Sequence, residues 1–290
     1  MPGDAPIASG RLMTWFWLLW TLVQGPATDA QALQRMVAFE RAFAAATAEI
    51  GVRDGFLAFF AADAVRVEPG GAGMARVMSG RDALAAQPLT PLPLPGRLMW
   101  EPYTGHVSSD GTLGWLTGGY VGLDQTQTQV LAKGAYFSVW KRQADGTWRV
   151  WLDEGVALPD VWRDASPFRV AADPDAGDAG TSGETIAAAE SAIARGGAAW
   201  LTRLSTAVRI HRDGRMPLVG RPTSAEAAPG AWPQVTFTLA RTEEAASGDL
   251  AVTIGGYAVA NGSDGTWIRV WKRDVTGRWR IVFETSKARK

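Results

Sequence analysis

Hydrophobic side chains change their spacing along the chain, from a helical period to an alternating one. Between residues 33 and 50 the large apolar side chains recur every three or four positions among alanines and charges, which predicts one face of a helix. Further on the pattern alternates, and Tyr136, Ser138 and Trp140 are predicted to share one face of a strand. An Asp-Gly pair then indicates a hairpin turn, so residues 148–152 are expected to return as the partner strand.

The second half of the chain repeats this pattern. Each half contains a Gly-Gly-Tyr block, a Val-Trp-Lys-Arg block and a Gly-x-Trp-Arg block in the same order. The spacing from Trp140 to Trp148 equals that from Trp271 to Trp279. Matched blocks in one order predict two tandem copies of a single domain. The paired glycines lie inside strand patterns, where they indicate bends or bulges rather than phosphate loops.

Helical segments precede the strands in each copy, which predicts an α+β fold: two tandem cone-shaped domains, each a curved antiparallel sheet wrapped on N-terminal helices. We assign unit one to residues 33–172 and unit two to residues 184–290. Residues 173–183 are acidic and rich in glycine, and are interpreted as a flexible linker. The proline-rich stretch 88–95 is expected to form a loop, because proline cannot donate to a ladder or continue a helix.

The N-terminal segment has the features of an export signal. Residues 12–23 are almost entirely apolar, Arg11 stands before them, and residues 30–32 give a small-x-small cleavage pattern. This arrangement predicts a secretory signal peptide over residues 1–32. The apolar run is short for a membrane span, so the mature protein is expected to be periplasmic or secreted and free of the membrane. An uncleaved signal anchor, a wrongly assigned start codon and a buried core helix are the alternatives.

Composition narrows the chemistry. Lys plus Arg and Asp plus Glu both total 29, so the chain has no net charge and no electrostatic footprint for nucleic acid. Cysteine is absent, which excludes disulfides and thiolate chemistry, and the presence of only two histidines argues against a histidine-rich zinc site. We therefore expect neither a metal nor a cofactor. His106 precedes a polar turn and is expected to be exposed.

Three motifs carry a resemblance to a known superfamily: residues 59–70, the Ser-Gly-Arg-Asp-Ala-Leu run at 79–84, and the hairpin at 136–150. Together they resemble SnoaL-like domains of the nuclear-transport-factor-like superfamily, in particular an uncharacterised branch found in exported proteins. The resemblance covers residues 33–155 well and 184–286 more loosely. It implies cones whose wide end opens into a pocket between sheet and helices. Such domains usually dimerise sheet to sheet, so the two units are expected to form an internal pseudo-dimer.

The resemblance does not fix a function, because the superfamily contains isomerases, cyclases, hydrolases, dehydratases and non-catalytic binding modules. In its steroid isomerases the general base is an aspartate before a proline at the end of the first strand, and Glu68-Pro69 holds that place here. Burial of a carboxylate in an apolar cone suits it to proton abstraction near neutral pH. Arg66 lies two residues away and favours a rim ion pair instead.

The remaining isomerase groups have no counterparts. Those enzymes use a protonated aspartate on the penultimate strand, where this chain has Ser138 in unit one and Arg269 in unit two. They also use a tyrosine on the first helix, whereas no tyrosine of this sequence precedes Tyr103. The isomerase constellation is therefore broken. Of the adjacent Asp153 and Glu154 at the end of a strand, only one is expected to enter a pocket.

Unit two offers a different set of polar residues. Residues 207–211 align weakly with the strand that carries Glu68, and the alignment places His211 at its position. Arg209 lies beside His211, and Arg269 lies on a later strand. A pocket with these three side chains would favour an anionic ligand. The alternative is a histidine at the surface or in an ordinary hydrogen bond.

The leading hypothesis is a non-catalytic module of the periplasm or cell exterior that binds a small apolar or anionic ligand or another protein. Its candidate ligand-binding residues in unit one are Arg66, Ser138 and Trp140. The alternative is an enzyme of the isomerase, dehydratase or hydrolase type, acting on a small apolar or carbonyl-bearing molecule with Glu68 as general base. The broken constellation and the duplication favour the first hypothesis.

Overall fold

The computed structural model describes residues 29–85, 96–163, 167–222, 235–260 and 262–289. The predicted proline-rich loop and most of the predicted signal peptide lie outside these ranges. Within them, no helix is long and apolar enough to cross a membrane.

The helices occur early in the sequence of each unit. Those of unit one are α1 (Asp29–Ile50), α2 (Val52–Phe59) and α3 (Arg81–Ala85), and those of unit two are α4 (Ile186–Ala192) and α5 (Gly197–Arg203). The long predicted helix is confirmed, and it begins at Asp29. Gly51 has a φ of 92°, which turns the chain between α1 and α2. Gly55 then allows close packing, because a Cβ there would lie 2.4 Å from Thr47 Oγ1.

Each unit builds one sheet. The seven-stranded sheet of unit one has the spatial order β2-β1-β6-β5-β4-β3-β7 and consists of β1 (Phe60–Gly71), β2 (Met74–Ser79), β3 (Arg97–Val107), β4 (Leu113–Leu123), β5 (Val130–Arg142), β6 (Trp148–Ala157) and β7 (Arg169–Val170). The six-stranded sheet of unit two has the order β10-β11-β12-β13-β8-β9 and consists of β8 (Leu204–Arg212), β9 (Arg215–Val219), β10 (Val235–Glu244), β11 (Leu250–Val259), β12 (Asp264–Arg273) and β13 (Trp279–Ala288).

The α+β architecture in two tandem units is thus confirmed, with one difference. Both sheets are mixed, because β1 runs parallel to β6 and β8 runs parallel to β13. The predicted bulges at the Gly-Gly-Tyr blocks are also confirmed. Strand β3 shifts register opposite Gly118 and β10 shifts register opposite Gly255, and such shifts bend the strand that carries them.

The two faces of each sheet are buried against different layers. On β5, Trp140 packs among the side chains of α1, whereas Phe137 and Val139 face the other way, as the alternation predicts. Unit two builds its helix-facing core in the same manner around Trp271 and Trp279. Each unit therefore has its own core between sheet and helices.

A third apolar layer joins the two units, because their sheets pack face to face. Phe137 of unit one stacks on Phe283 of unit two with ring centroids 4.2 Å apart, and the Trp115 ring lies 5.4 Å from Phe283. Face-to-face packing of this kind buries both inner sheet surfaces. The other large members of the layer are Val65, Val67, Leu113, Val139, Trp151, Leu152, Leu250, Val252, Ile254, Ile268, Val270 and Val282.

Equivalent hairpins also cross between the units. The β1–β2 turn of unit one reaches unit two, where Gly73 N donates to Asp264 Oδ2 at 3.4 Å. The β8–β9 turn of unit two reaches unit one, where Asp213 Oδ1 accepts from Ala157 N at 2.9 Å. Gly73 has a φ of 75°, and a Cβ there would lie 2.7 Å from Ala258 Cβ. The contacts between the units are therefore reciprocal.

Polar contacts flank the apolar layer. Asp173, in the segment interpreted as a linker, has a carboxylate oxygen 2.9 Å from Lys272 Nζ and 3.2 Å from His106 Nε2. The His106 side chain keeps 13% of its surface exposed, so its predicted exposure is wrong. Burial, and then the charge of Lys272, lower the pKa of His106 below its usual value. The hairpin turn after His106 packs against unit two, where Asp249 accepts from Ser109 N at 3.1 Å.

Candidate functional site

A carboxyl group lies at the centre of the unit-one interior. Glu40 belongs to the buried face of α1 and is fully buried. Its carboxylate accepts hydrogen bonds from Trp100 Nε1 (2.6 Å), Ser138 Oγ (2.6 Å) and Trp140 Nε1 (2.8 Å). Burial raises the pKa of Glu40, although these hydrogen bonds favour its charged form. Helix α1 and strands β3 and β5 thus meet at one carboxyl group.

A second carboxyl group faces the same interior. Asp153 pairs with Ser138 across β6 and β5, so it points to the helix side of the sheet. Glu154 points to the opposite side and forms an ion pair with Lys287 of unit two, so the adjacent carboxyls diverge as predicted. No side chain in the described ranges donates a hydrogen bond to Asp153. Burial raises the pKa of Asp153 well above its usual range, and the charge of Glu40 adds to that effect.

An unpaired hydroxyl group lies beside the two carboxyls. Tyr136 occupies the same face of β5, and its buried Oη has no hydrogen-bond partner within the described part of the chain. Burial, followed by the charges of Glu40 and Asp153, raises the pKa of Tyr136 well above its usual range. The Tyr136 and Trp100 ring centroids are 6.4 Å apart. Two carboxyls, one hydroxyl and two aromatic rings therefore converge on one interior.

Strand registers identify the same positions in unit two. Ser138 pairs with Asp153 across β5 and β6, and Arg269 pairs with Glu284 across β12 and β13. In both sheets the register shifts just before the next tryptophan, Trp140 on β5 and Trp271 on β12. Arg269 therefore stands where unit one has Ser138, and Glu284 stands where unit one has Asp153.

The helix carboxylate also has a counterpart in unit two. Trp271 Nε1 donates to Glu190 Oε1 at 2.7 Å, as Trp140 Nε1 donates to Glu40. Glu190 belongs to α4 and is buried. Thr253 Oγ1 also donates to Glu190, at 2.7 Å. This hydrogen bond corresponds to the one that the Trp100 indole donates to Glu40 in unit one.

The aromatic rings correspond as well. Trp100 and Phe237 each pair with the tyrosine of the Gly-Gly-Tyr block in their own unit. Tyr136 and Trp267 each pair with the first glycine of that block. The Phe237 and Trp267 ring centroids are 6.0 Å apart, close to the separation of the two rings in unit one. Two carboxyls and two rings are therefore common to both interiors.

Arg269 fills the interior of unit two. Its Nη1 lies 2.7 Å from Glu190 Oε2, and its Nε lies 2.6 Å from Glu284 Oε2. The central guanidinium carbon is 4.1 Å from the ring centroids of both Phe237 and Trp267, within the range of a cation–π contact. Arg269 is fully buried. Unit two thus encloses a cation of its own between two carboxylates and two rings.

The charge state of Glu284 differs from that of its counterpart in unit one. Arg212 forms a second ion pair with Glu284, and Trp200 Nε1 donates to it at 2.8 Å. Burial alone would raise the pKa of Glu284, but the charges of Arg269 and Arg212 outweigh burial and lower it. Glu284 of unit two is therefore held ionised, whereas burial favours the protonated form of Asp153 in unit one.

The residues predicted for the unit-one site fall into two places. Arg66 Nε lies 3.2 Å from Glu68 Oε1, and Arg76 of β2 donates to the same carboxylate. This geometry matches the rim ion pair between Arg66 and Glu68 that the sequence predicted. Ser138 and Trp140 instead contact Glu40 in the interior. A ligand-binding role for these residues and a catalytic role for Glu68 stay predictions.

The structure does not bring the three predicted residues of unit two together. Arg209 pairs with Phe283, which belongs to the layer between the sheets, and His211 shares that face of β8. Arg269 lies on the helix-facing side of its sheet. Since one sheet separates them, these side chains do not form a single anion site.

His211 is buried at the junction of the two units. Its ring makes edge contacts with Trp162 of unit one and Phe283 of unit two, at centroid distances of 5.5 and 4.8 Å. Its Nε2 has no hydrogen-bond partner among the residues that the structure describes. Burial, and then the charges of Arg209 and Arg212, lower the pKa of His211 to about 3. The ring is therefore neutral at physiological pH.

The same registers correct the alignment of the first strands. Val65 beside β6 and Arg209 beside β13 occupy equivalent positions. The alignment of Glu68 with His211 is therefore wrong by one residue, and Glu68 corresponds to Arg212. A one-residue slip in a strand moves every side chain to the opposite face.

Sequence reasoning missed the two helix carboxylates. Glu40 follows Val37 by three positions and precedes Phe43 by three, so it stands in the apolar stripe of α1. Glu190 lies between Ala189 and Ile193 on the buried side of α4 in the same way. A lone carboxylate inside an apolar helical stripe is a signal that could have identified both residues.

Among the comparisons with known proteins, matches came from solved structures. No protein-family model and no curated protein sequence matches the chain. A ketosteroid isomerase-like protein from Erwinia carotovora atroseptica is 19% identical and covers 36% of this chain and 94% of its own, with a TM-score of 0.29. An NTF2-like protein of unknown function from Mesorhizobium loti is 19% identical and covers 36% of this chain and 86% of its own, with a TM-score of 0.26.

A conserved protein from Planctomyces limnophilus matches over a similar length, at 13% identity, 36% of this chain and 93% of its own, with a TM-score of 0.29. Each match has the length of one unit rather than two. At these identities and scores the likeness says nothing about activity. In the parts of the chain that the structure describes, no cluster of His, Asp and Glu could hold a metal ion.

Proposed function

We propose that unit one is a small-molecule-binding domain and that unit two is a closed copy that supports it. One observation carries the proposal: Asp153 and the Tyr136 hydroxyl face the same interior, and neither has a hydrogen-bond partner within the described ranges. A bound molecule would supply the missing partner for both groups.

The energetics support this proposal. A buried ionisable group without a partner lowers stability, so a fold that retains one usually uses it. In unit two the same framework holds both carboxylates in ion pairs with Arg269. Asp153 also keeps part of its surface accessible, although enough protein surrounds it to desolvate its carboxyl strongly. That combination is typical of a side chain that lines a recess.

We further propose that the two units form an internal pseudo-dimer. The shared apolar layer and the reciprocal hairpin contacts support it. Because the sheet surface used for pairing is already covered, light scattering is expected to give the mass of a single chain. A mass of twice the chain would contradict this arrangement.

Export to the periplasm or cell exterior remains part of the proposal. It rests on the N-terminal sequence pattern alone. Intact-mass spectrometry of protein from a bacterial host is the direct measurement. A chain that starts near Leu33 supports export with cleavage, whereas an intact N-terminus in the membrane fraction supports the anchor.

Native mass spectrometry of gently purified protein tests the binding proposal. We expect an extra mass that disappears on denaturation. Ser138→Arg is the matched variant, because Arg269 stands at the equivalent position and fills unit two. The extra mass should be absent from this variant while its melting temperature is kept. A ligand that remains bound to Ser138→Arg would place the binding site elsewhere.

The enzymatic alternative assigns general-base chemistry to Glu68. Two arginines engage its carboxylate in the present geometry, so it does not lie free for proton abstraction. Asp153 has the raised pKa that acid–base catalysis uses. Turnover of a carbonyl-bearing substrate that disappears in Glu68→Gln, with an unchanged melting temperature, would favour the alternative over a binding role.

A further inference from the structure

We infer that unit one binds an organic cation of the amidinium, guanidinium or primary-amine class, seated between the rings of Trp100 and Tyr136 and against the carboxyl group of Asp153. This inference rests on the proposed binding function and specifies its ligand. The chain itself supplies the argument, since unit two contains the same interior with a cation in place.

Unit two acts as an internal reference for the occupied state. The Arg269 guanidinium lies between two aromatic rings, at 4.1 Å from each centroid, and binds one carboxylate at either end. This is a complete cation-binding box: charge pairing, directed N–H donors and ring faces act on one group. Its cation belongs to the fold, so the box is closed to any other ligand.

Unit one has every wall of that box. Trp100 and Tyr136 take the places of the two rings, and Glu40 and Asp153 take the places of the two carboxylates. Ser138 takes the place of Arg269, and its short side chain donates to Glu40 rather than reaching across the interior. The cation is thus the component that differs between the two interiors.

Asp153 lacks several hydrogen-bond donors that its counterpart Glu284 has in unit two. Glu284 receives donors from three side chains. Each is replaced at the equivalent position of unit one by a residue that does not donate to Asp153: Arg269 by Ser138, Arg212 by Glu68, and Trp200 by Phe56. A single ligand with several N–H donors would restore what these substitutions removed.

The charges of the interior select the sign of the ligand. The charges that act most strongly on Tyr136 are those of Glu40 and Asp153, followed by Glu101, which is exposed and paired with Arg41, and by Tyr103. The cation that acts on Asp153 is Lys287, which is itself paired with Glu154 on the opposite side of the sheet. An anion would favour the protonated forms of these carboxyls still further and gain no ion pair, whereas a cation gains one by displacing the proton from Asp153. An amidinium instead donates to Asp153, offers a second donor to the Tyr136 oxygen and lies against two ring faces.

The experiment measures binding of benzamidine to the full-length protein by isothermal titration calorimetry. Benzamide is the neutral control of the same shape, and benzoate is the anionic one. We expect benzamidine to bind at least about tenfold more tightly than either control. Because the cation competes with protons for carboxyl groups whose pKa is raised by burial, its affinity should rise with pH.

Two reciprocal variants complete the test. Ser138→Arg should lose benzamidine binding, because it places an internal cation in unit one. Arg269→Ser should gain a second benzamidine site, because it empties the box of unit two. If Arg269→Ser fails to fold, the wild-type protein and Ser138→Arg still decide the question.

The outcomes separate this inference from the function on which it rests. Benzamide binding as tightly as benzamidine, and lost in Ser138→Arg, overturns the cation and keeps a binding domain in unit one. Benzamidine binding that is indifferent to pH or to Ser138→Arg also overturns the inference. If no probe of any charge responds to Ser138→Arg, both the inference and the proposed function fail.

Discussion

The two interiors of this molecule are built from the same parts and differ in one component. Unit two has Arg269 between Glu190 and Glu284, and Arg269 forms an ion pair with each of them. Unit one has Ser138 at that position and leaves Asp153 without a donor from the described residues. In a duplicated domain, the copy that fills its own site thus indicates what the other copy is shaped to hold.

The difference also has opposite consequences for stability. Removing one partner of a buried ion pair strongly destabilises the protein, because the other charge stays buried without compensation. A buried carboxyl that already lacks a partner costs stability in the wild-type protein, so its removal relieves that cost. Equivalent substitutions in the two units are therefore expected to change stability with opposite signs.

The largest effect is expected in unit two. Glu284→Gln removes the charge that pairs with both Arg269 and Arg212, so each guanidinium group loses one buried ion pair. We expect the free energy of unfolding to fall by about 3–5 kcal/mol, measured by urea denaturation at neutral pH. A change below about 1 kcal/mol would show that the network contributes little and would weaken the contrast with unit one.

Acid titration sharpens the comparison, provided that His211 is accounted for. Its pKa is about 3 in the folded chain against about 6.5 in an unfolded one. The protein has the full benefit of neutral His211 above about pH 6.5, and loses it as the pH falls towards the folded value. Between about pH 6.5 and pH 5 this loss should reach about 2 kcal/mol of unfolding free energy.

His211→Phe isolates that contribution. The variant should show a flatter decline of unfolding free energy over the same pH range, because it has no imidazole to protonate. The carboxyls of unit one act in the opposite direction: their raised pKa values favour the folded state on acidification. An identical pH profile for His211→Phe and wild type would mean that the ring is not held neutral in the fold.

A smaller effect of opposite sign is expected in unit one. The raised pKa of Asp153 means that its stabilising contribution is present at low pH and is lost as the pH rises through the folded value. Asp153→Asn should therefore increase the free energy of unfolding at neutral pH by about 1 kcal/mol. Urea denaturation beside Glu284→Gln is the direct comparison, and a loss of stability in both variants would remove the distinction between the two interiors.

Local patterns were sufficient for the framework of the fold. The Asp-Gly turn and the alternation around Trp140 predict the β5–β6 hairpin, and the structure confirms it. The repeated sequence blocks predict the two units because the blocks occur in the same order, with the same tryptophan spacing, in both halves of the chain. The parallel neighbours β1 and β6 were not predicted, because strands distant in sequence are joined by contacts that no local pattern records.

The interior was harder to predict for two physical reasons. The sequence alignment of β1 with β8 was wrong by one residue. It therefore placed His211 at the position of Glu68, although the two side chains lie on different faces of their sheets. Glu40 was hidden within a helix assigned by its apolar neighbours. What a buried carboxylate does depends on its partner across the sheet, and Arg269 acquires its role only when the strands are paired.

The smallest stability effect is expected at the rim of unit one. Glu68 corresponds in register to Arg212, but its ion pairs with Arg66 and Arg76 lie partly in solvent, where such pairs contribute little. Glu68→Gln should change the free energy of unfolding by about 0.5 kcal/mol or less and leave benzamidine affinity within about twofold. Parallel urea and calorimetric titrations with Asp153→Asn, which should lose benzamidine, check this. A larger loss of binding in Glu68→Gln would move the recognition of the ligand from the interior to the rim and bring back Glu68 as the central residue of the site.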